Sequence, residues 1–321
     1  MKNKPILIVN GEPNSIFLEI FFKSLEYKKF KSPLILISSL KLLKLQMRKL
    51  KFKKNIKLVN IRSLDDCKLD NKFINLININ LNQKKAFEKI SSKSNLFIKN
   101  SFDIALKIIN QNITDKLING PISKKEFLDK KYLGITEYLA KKSGSKKVAM
   151  LIFNKDLSVC PITTHLPIKM VSKIITKKLI CEKILLINKF YYINFGFKPK
   201  IAVLGLNPHC ETIDNFSEDE KILKPTIKQL HNLGYKISGP YSADTIFLKN
   251  NRKKFDVIVG MYHDQVLTPF KTLYEYDAIN ITLGLPFKRI SPDHGPNVEM
   301  LGKNSSNPFS LIKAISFLDK N

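Results

Sequence analysis

Three of the five histidines in this sequence stand just after short apolar runs that predict buried β-strands. His165 follows the run at residues 157–163, and His209 and His263 follow similar runs. One such histidine alone is more often a satisfied polar group, but three in the same context favour a shared site. Ligands of open α/β sheets bind beyond the carboxyl ends of the strands, where these imidazoles are expected. The pattern therefore predicts a three-histidine metal centre with an open position for substrate.

The elements that must position these residues alternate between strand and helix along the chain. Apolar, β-branched runs predict strands at 5–10, 33–38, 58–61, 73–79, 116–119, 147–153, 157–163, 256–260 and 278–283, and at the start of 200–209. Helical spacing predicts helices at 16–25, 93–112, from 134 onward, at 168–194 in two pieces, at about 217–233 and at 308–318. This order predicts an α/β fold with mainly parallel sheets and flanking helices.

Two local features are predicted in more detail. Residues 147–153 and 157–163 form a hairpin-like pair around the turn at 154–156. Thr136 is placed to cap the helix that opens at 134, because a hydroxyl oxygen can accept a hydrogen bond from a free N–H of the first turn.

Composition excludes several classes of protein. The 321 residues can bury a substantial core, and no apolar run approaches the roughly 20 residues that span a bilayer. The N-terminus leads straight into a predicted strand and lacks the features of a signal peptide. The four cysteines contain no C-x-x-C pair, which argues against a disulfide framework and a zinc ribbon. These observations predict a cytoplasmic protein without a membrane partner.

The net charge of +28 suggests a nucleic-acid or anionic-membrane partner, but the type of basic residue that supplies it argues against both. Lysine supplies 51 of the 55 basic residues. Arginine, which is favoured for bidentate contacts with phosphates and bases, is nearly absent. No nucleic-acid partner is therefore expected, although the positive field would attract a phosphorylated substrate.

Five motifs carry a resemblance to a known family. They are TTHLP (163–167), GLNPH (205–209), ADTIF (243–247), MYHDQ (261–265) and NITLGLPF (280–287). In order and spacing the chain resembles the 4-hydroxythreonine-4-phosphate dehydrogenase family over essentially its whole length, as a divergent member. The resemblance implies an isocitrate/isopropylmalate-dehydrogenase-like fold of two subdomains with a cleft between them. Their approximate bounds are 1–130 plus 285–321 and 131–284.

The family is a homodimer that works in pyridoxal phosphate (vitamin B6) biosynthesis. It oxidises 4-phosphooxy-L-threonine with NAD or NADP, and the β-keto acid loses carbon dioxide to give 3-amino-2-oxopropyl phosphate. The resemblance assigns metal binding to His165, His209 and His263, in a site shared across the dimer interface. A metal held by neutral imidazoles keeps its full charge and acts as a Lewis acid on a bound hydroxyl.

The remaining site residues are also implied by the resemblance. It assigns substrate binding to Thr136, Lys271, Asn280 and Arg289, with Lys271 counted among the catalytic residues. Arg289 is suited to clamp a phosphate or carboxylate in a bidentate manner. Two catalytic carboxylates, Asp244 and Asp264, fall beside the metal site and are expected to orient ligands or move a proton.

The chain departs from the family pattern in its phosphate and cofactor loops. The first turn, GEPNSIF at 11–17, is poor in glycine, as is CETID at 210–214, and Pro-Asn follows DHG at 296–297. Ile135 stands where the family has a histidine that can donate to phosphate. Lys124, in the neighbouring turn, is expected to take over that phosphate contact.

These departures leave alternatives open. One is a dehydrogenase for another phosphorylated hydroxy acid of the threonate or erythronate phosphate type. The other is a non-catalytic homologue that binds metal or ligand. Because no G-x-G-x-x-G motif is present, NAD and NADP both remain open, and the cofactor-binding residues are unknown. Zinc, cobalt and magnesium remain open as the metal, and three imidazoles alone would suit nickel as well.

Overall fold

The computed structural model of the protein describes residues 3–64, 67–128, 131–213 and 216–320. The strands of this part of the chain are β1 Ile6–Val9, β2 Leu34–Ser38, β3 Ile56–Leu58, β4 Ile74–Asn78, β5 Lys116–Asn119, β6 Ala149–Phe153, β7 Ser158–Pro161, β8 Ile201–Leu204, β9 Ile237–Tyr241, β10 Val257–Gly260, β11 Ile279–Leu283 and β12 Lys288–Pro292.

Helices follow or precede most of these strands. The α-helices are α1 Phe17–Tyr27, α2 Leu40–Lys49, α3 Asn95–Asn110, α4 Lys124–Phe127, α5 Ile135–Lys142, α6 Val171–Ile174, α7 Lys177–Phe195, α8 Lys224–Asn232, α9 Ala243–Ile246, α10 Lys249–Arg252, α11 His263–Tyr274 and α12 Phe309–Lys320. Single 3₁₀ turns include Pro208–Cys210, and a π-helical turn, Asp219–Leu223, leads into α8. None of the helices within the described ranges has both the length and the apolar composition to cross a membrane.

The chain divides into two compact units. The first unit contains residues 1–135 and 286–321, and the second contains residues 136–285.

In the first unit the strands run in the order β3-β4-β2-β1-β5-β12, and all neighbours are parallel. The central strand β1 is fully buried along Ile6–Val9, as expected for a parallel strand covered on both faces by helices. Ser39 caps α2 by accepting a hydrogen bond from Leu42 N at 3.4 Å.

In the second unit the order is β11-β6-β7-β10-β8-β9. The strands β7, β10, β8 and β9 are mutually parallel, whereas β6 is antiparallel to both of its neighbours. The pairing of Ile152 with Val159 confirms the predicted hairpin, whose turn is held by Asp156 N donating to Asn154 Oδ1 at 2.9 Å. The predicted α/β fold with mainly parallel strands is confirmed.

Several element predictions need correction. The strand predicted at 58–61 lies at Ile56–Leu58, and a 3₁₀ turn occupies Ile61–Ser63. The strands β9 and β12 and the helix α11 were not predicted. β9 contains a Gly-Pro pair and α11 contains Pro269, and both features ordinarily argue against a regular element.

Candidate functional site

The carboxyl ends of three neighbouring parallel strands position the predicted metal ligands of the second unit. β7 ends at Pro161, β10 at Gly260 and β8 at Leu204. The segments that follow these strands each carry one histidine, and we call them the histidine-bearing loops: residues 162–167, residues 261–265, which run into the first turn of α11, and residues 205–210. The strands are short, and the four residues of each are buried. The histidines therefore start from the same edge of one sheet, as the sequence predicts.

His165 and His263 come together at this edge. Their ring centroids are 5.6 Å apart, with an angle of 39° between the ring planes. Two imidazoles on one tetrahedral metal have centroids roughly 5 Å apart, because metal–nitrogen bonds are about 2.0–2.1 Å long. The separation of this pair therefore fits two ligands of a shared ion.

The carboxylate of Asp264 lies against the His263 ring. Its Oδ1 lies 2.6 Å from His263 Nδ1, so Nδ1–H donates to the carboxylate when the ring is neutral. The lone pair is then left on Nε2, the nitrogen that can bind a metal. Asp264 thus contacts the predicted ligand directly and is itself exposed.

His209 is not brought to the other two histidines. Within the described ranges, no three His, Cys, Asp or Glu side chains are gathered so that they could hold one metal ion. His209 is exposed in the turn Pro208–Cys210, with a φ of 54°. This left-handed conformation is uncommon for a residue with a side chain and is found disproportionately at functional sites. A single chain therefore presents two of the three predicted ligands as a pair.

Asp219, which sequence analysis did not single out, holds the start of the His209 loop. This fully buried carboxylate accepts hydrogen bonds from Leu206 N at 2.9 Å and from Asn207 N at 3.2 Å. Asn207 Nδ2 also donates to it at 2.9 Å. A carboxylate twelve residues beyond an Asn-Pro-His turn has no distinctive local signature, so its role becomes visible only in the folded chain.

A cavity of about 390 Å³ adjoins the three histidine-bearing loops. Its wall includes Ile168, Asn207 and Tyr262, which lie in the segments that follow β7, β8 and β10 respectively. Glu218 and Ser172 add polar groups to the otherwise mixed lining. The site thus has room for a small polar ligand beside the histidine loops.

Two predicted substrate-binding residues, Asn280 on β11 and Thr136 on α5, are associated with one face of β11. Thr136 Oγ1 is 3.3 Å from Thr282 Oγ1, and Asn280 precedes Thr282 by two residues on the same side of the strand. Asn280 Oδ1 is buried and accepts no hydrogen bond from the residues that the structure describes. Such an orphaned acceptor can bind a donor group of a ligand. Thr136 lies inside α5, so the prediction that it caps this helix is wrong.

Arg289 is buried within the first unit, with 1% of its surface exposed. Its Nε donates a hydrogen bond to Asn119 Oδ1 at 2.7 Å, between the neighbouring strands β12 and β5. Asn119 Nδ2 donates in turn to Gly120 O at 2.8 Å. This contact fixes the orientation of the guanidinium, and sequence analysis did not identify Asn119.

The other predicted residues are exposed or only partly described. Asp244 lies exposed in the first turn of α9, and Lys271 lies exposed in the last turn of α11. Ile135 begins α5 and is half-buried. Lys124 begins α4, but its side chain lies outside the described part of the structure, so its predicted phosphate contact stays a prediction.

Comparison with known proteins decides the family. The family model for the pyridoxal phosphate biosynthetic protein PdxA matches residues 29–318. A 4-hydroxythreonine-4-phosphate dehydrogenase of Sulfurihydrogenibium sp. (strain YO3AOP1) is 39% identical over 316 residues, covering 97% of this chain and 96% of the relative. The chain belongs to the PdxA family.

Further relatives agree with this assignment. The 4-hydroxythreonine-4-phosphate dehydrogenase of Aquifex aeolicus is 34% identical, covering 99% of this chain and 98% of the relative. A crystal structure of the Klebsiella pneumoniae enzyme superposes with a TM-score of 0.83 at 25% identity, covering 98% of this chain and 97% of that one. The resemblance stated from the motifs is confirmed. As a PdxA family member, the protein is an oxidoreductase of pyridoxal phosphate biosynthesis.

Proposed function

We propose that the protein oxidises 4-phosphooxy-L-threonine in a metal-dependent reaction, with NAD or NADP as hydride acceptor. Oxidation of the 3-hydroxyl gives a β-keto acid, which loses carbon dioxide to form 3-amino-2-oxopropyl phosphate. The protein works in the cytoplasm as a homodimer with a shared active site. The observation that carries the proposal is the His165–His263 pair, with rings 5.6 Å apart at the ends of parallel strands.

His165, His263 and His209 would hold the divalent metal, with zinc, cobalt and magnesium as the candidate ions. When bound, the metal supplies a positive charge that eases deprotonation of the substrate hydroxyl and stabilises developing negative charge on oxygen. Asp264 keeps the proton of His263 on Nδ1 and so orients the ring, through its 2.6 Å contact. His209, which stands apart within the chain, would be supplied to the site across the dimer interface.

The chain's other polar groups would bind and orient the substrate. Thr136 and Asn280 offer a hydroxyl and an unpartnered amide oxygen on one face of β11. Arg289, held by Asn119, and Lys271 would meet the phosphate and carboxylate of the substrate. Asp244 is assigned, with Asp264, to orienting ligands or carrying the proton that leaves the hydroxyl.

Formation of NADH or NADPH by the purified protein tests this function. The substrates are 4-phosphooxy-L-threonine, 4-phosphothreonate and 4-phosphoerythronate, each with added zinc, cobalt or magnesium. We expect turnover of the first substrate and a loss of at least a hundredfold in the His263→Ala variant. Turnover of 4-phosphothreonate or 4-phosphoerythronate alone would show that the substrate is another phosphorylated hydroxy acid. No turnover with any metal would establish the non-catalytic alternative.

A further inference from the structure

The three histidine-bearing loops of the second unit are joined by hydrogen bonds through two uncharged side chains. Thr163 Oγ1 donates to Met261 O at 2.7 Å, and Thr163 N donates to the same oxygen at 3.2 Å. Gln265 Oε1 accepts from Met261 N at 2.7 Å, and its Nε2 donates to Gly205 O at 2.7 Å. The hydrogen bonds therefore run from one loop to the next without a break.

Each of these contacts lies close in sequence to a predicted ligand. Thr163 precedes His165 by two residues, and Met261 and Gln265 lie two residues on either side of His263. The third loop is joined at Gly205, four residues before its histidine. The Gln265 amide thus spans the gap between the His263 loop and the loop that carries the third ligand.

The space for this amide depends on the absence of a side chain at Gly260. A Cβ at this residue would lie 2.9 Å from Gln265 Oε1 and 2.5 Å from Val266 Cγ1. The lack of a side chain at Gly260 therefore leaves room for the Gln265 side chain at the end of β10. Since one end of the amide accepts and the other donates, both bonds require a glutamine at this length.

We propose that Gln265 is a positioning residue that joins the His263 loop to the His209 loop of its own subunit, and thereby sets how these two ligands are presented to the metal sites of the dimer and how tightly those sites bind metal. The inference rests on the proposed function for the existence of that metal. Groups behind the ligands typically change metal affinity by about 10–100-fold when they are removed. The Gly205–Gln265 bond is made within one chain, so it couples the loop of His263, a ligand of that subunit's own site, to the loop of His209, which would complete the other site of the dimer.

The two planned substitutions remove different parts of the bridge. Gln265→Met keeps the length of the side chain but removes both hydrogen bonds, leaving Met261 N–H and Gly205 O without these partners. Gln265→Glu keeps an acceptor for Met261 N–H, but an ionised carboxylate cannot donate to Gly205 O. The second variant thus removes the bond between the two loops, puts a negative charge against Gly205 O, and keeps the bond to Met261 N–H, so the test stays decisive if the first variant does not fold.

The matched control is Gln46→Met in the first unit. Gln46 is fully buried, and its Nε2 likewise donates to backbone oxygens, Pro13 O at 3.0 Å and Ala86 O at 2.9 Å. Its substitution removes comparable bonds far along the chain from the histidine loops. It is expected to lower the stability to urea without changing metal binding.

The experiment is a titration of metal-free protein with Co²⁺, followed by visible absorption, alongside urea unfolding of each variant. We expect both Gln265 variants to bind Co²⁺ about 10–100-fold more weakly than wild type and to shift its d–d absorption bands. Gln46→Met should keep the wild-type affinity and spectrum.

Two results would overturn the inference in distinguishable ways. If folded Gln265→Met and Gln265→Glu both bind Co²⁺ with wild-type affinity and spectrum, Gln265 does not position the site. If wild type binds no Co²⁺, or if His263→Ala binds it equally well, the proposed metal function fails and the inference fails with it.

Discussion

Glu12 is a carboxyl group buried in the loop after β1, with 1% of its surface exposed. Its Oε1 accepts hydrogen bonds from Asn14 N at 3.1 Å and from Ser94 Oγ at 3.3 Å. Burial is the main cause that raises the pKa of Glu12 above its ordinary value, and the nearby charge of Glu126 acts in the same direction. The folded protein therefore holds this proton more tightly than the unfolded chain does.

This raised pKa predicts the sign of a pH effect. Between the unfolded pKa near 4.5 and the higher folded pKa, the folded state binds more protons, so the free energy of unfolding falls as pH rises. The stabilising contribution of Glu12 to the free energy of unfolding is fully present below pH 4.5 and is lost as pH rises through the folded pKa. Urea unfolding from pH 4 to 8 should show the wild type losing stability relative to Glu12→Gln over this range.

Glu88 provides a control of opposite sign. It is a solvent-exposed carboxylate whose pKa is lowered, chiefly because the backbone N–H groups of Lys84 and Lys85 donate to it. Its stabilising contribution is present above the unfolded pKa and is lost as pH falls through the folded pKa. The wild type should therefore lose stability relative to Glu88→Gln on acidification. Equal slopes for the two variants would contradict the assignment for Glu12.

At the scale of elements, the close approach at the end of β10 predicts the cost of a single methyl group. Gly260→Ala would press a Cβ against Val266 and Gln265, at 2.5 and 2.9 Å. Overpacking of this kind typically costs about 1–3 kcal/mol of unfolding free energy. We expect urea unfolding to show that loss, with weaker Co²⁺ binding because Gln265 is displaced.

Gly295→Ala is the matched control for this substitution. Apart from Gly295 itself and its two chain neighbours, the described residues have no heavy atom within 4 Å of a Cβ placed there. Its stability and its Co²⁺ affinity should therefore stay close to those of the wild type. A Gly260→Ala protein as stable as Gly295→Ala would show that the end of β10 can relax, which would weaken the case for a fixed Gln265.

The elements differ in how far the sequence could predict them. The runs that became β1 and β10 are rich in β-branched residues and fully buried, so their composition and their burial agree. The helix α11 follows β10 within three residues and continues through Pro269, which local rules treat as a helix breaker. Its position is set by packing of Val266, Leu267 and Phe270 in the core, which no local window reveals.

The candidate metal site was likewise predictable only in part. The strand-end rule correctly predicted a shared edge for the histidines, because parallel strands align their carboxyl ends. It could not predict that His209 stands apart, in a turn where this non-glycine residue has a φ of 54°. Nor could it find Asn119, Asp219 or Gln265 as supporting groups. Their contacts with Arg289, Leu206 and Gly205 join residues that are 170, 13 and 60 positions apart, respectively.

At the scale of the whole molecule, the charge of +28 is carried mainly by lysine. Such a field attracts anionic ligands over a distance and speeds their encounter, but it does not choose among them. Selection of one ligand among several anions requires side chains with a fixed orientation. The buried Arg289, whose guanidinium is held by Asn119, is such a side chain. We therefore expect the excess lysine to affect the rate of substrate capture, and the few side chains with a fixed orientation to determine specificity.

Assembly bears on the metal site, because the described residues of one chain bring His165 and His263 together but gather no third ligand beside them. A site that takes His209 from a second subunit would complete the metal ligands, and each dimer would then contain two equivalent sites.

If Arg289 and His209 of one site come from opposite subunits, mixing His209→Ala with Arg289→Ala protein should restore activity. Each variant alone has both sites damaged, whereas a mixed dimer has one doubly damaged site and one intact site. Purified mixed dimers should therefore regain about half of the wild-type activity and bind Co²⁺ normally at the intact site, while either variant mixed with itself regains none. An active monomer in sedimentation would contradict the shared site.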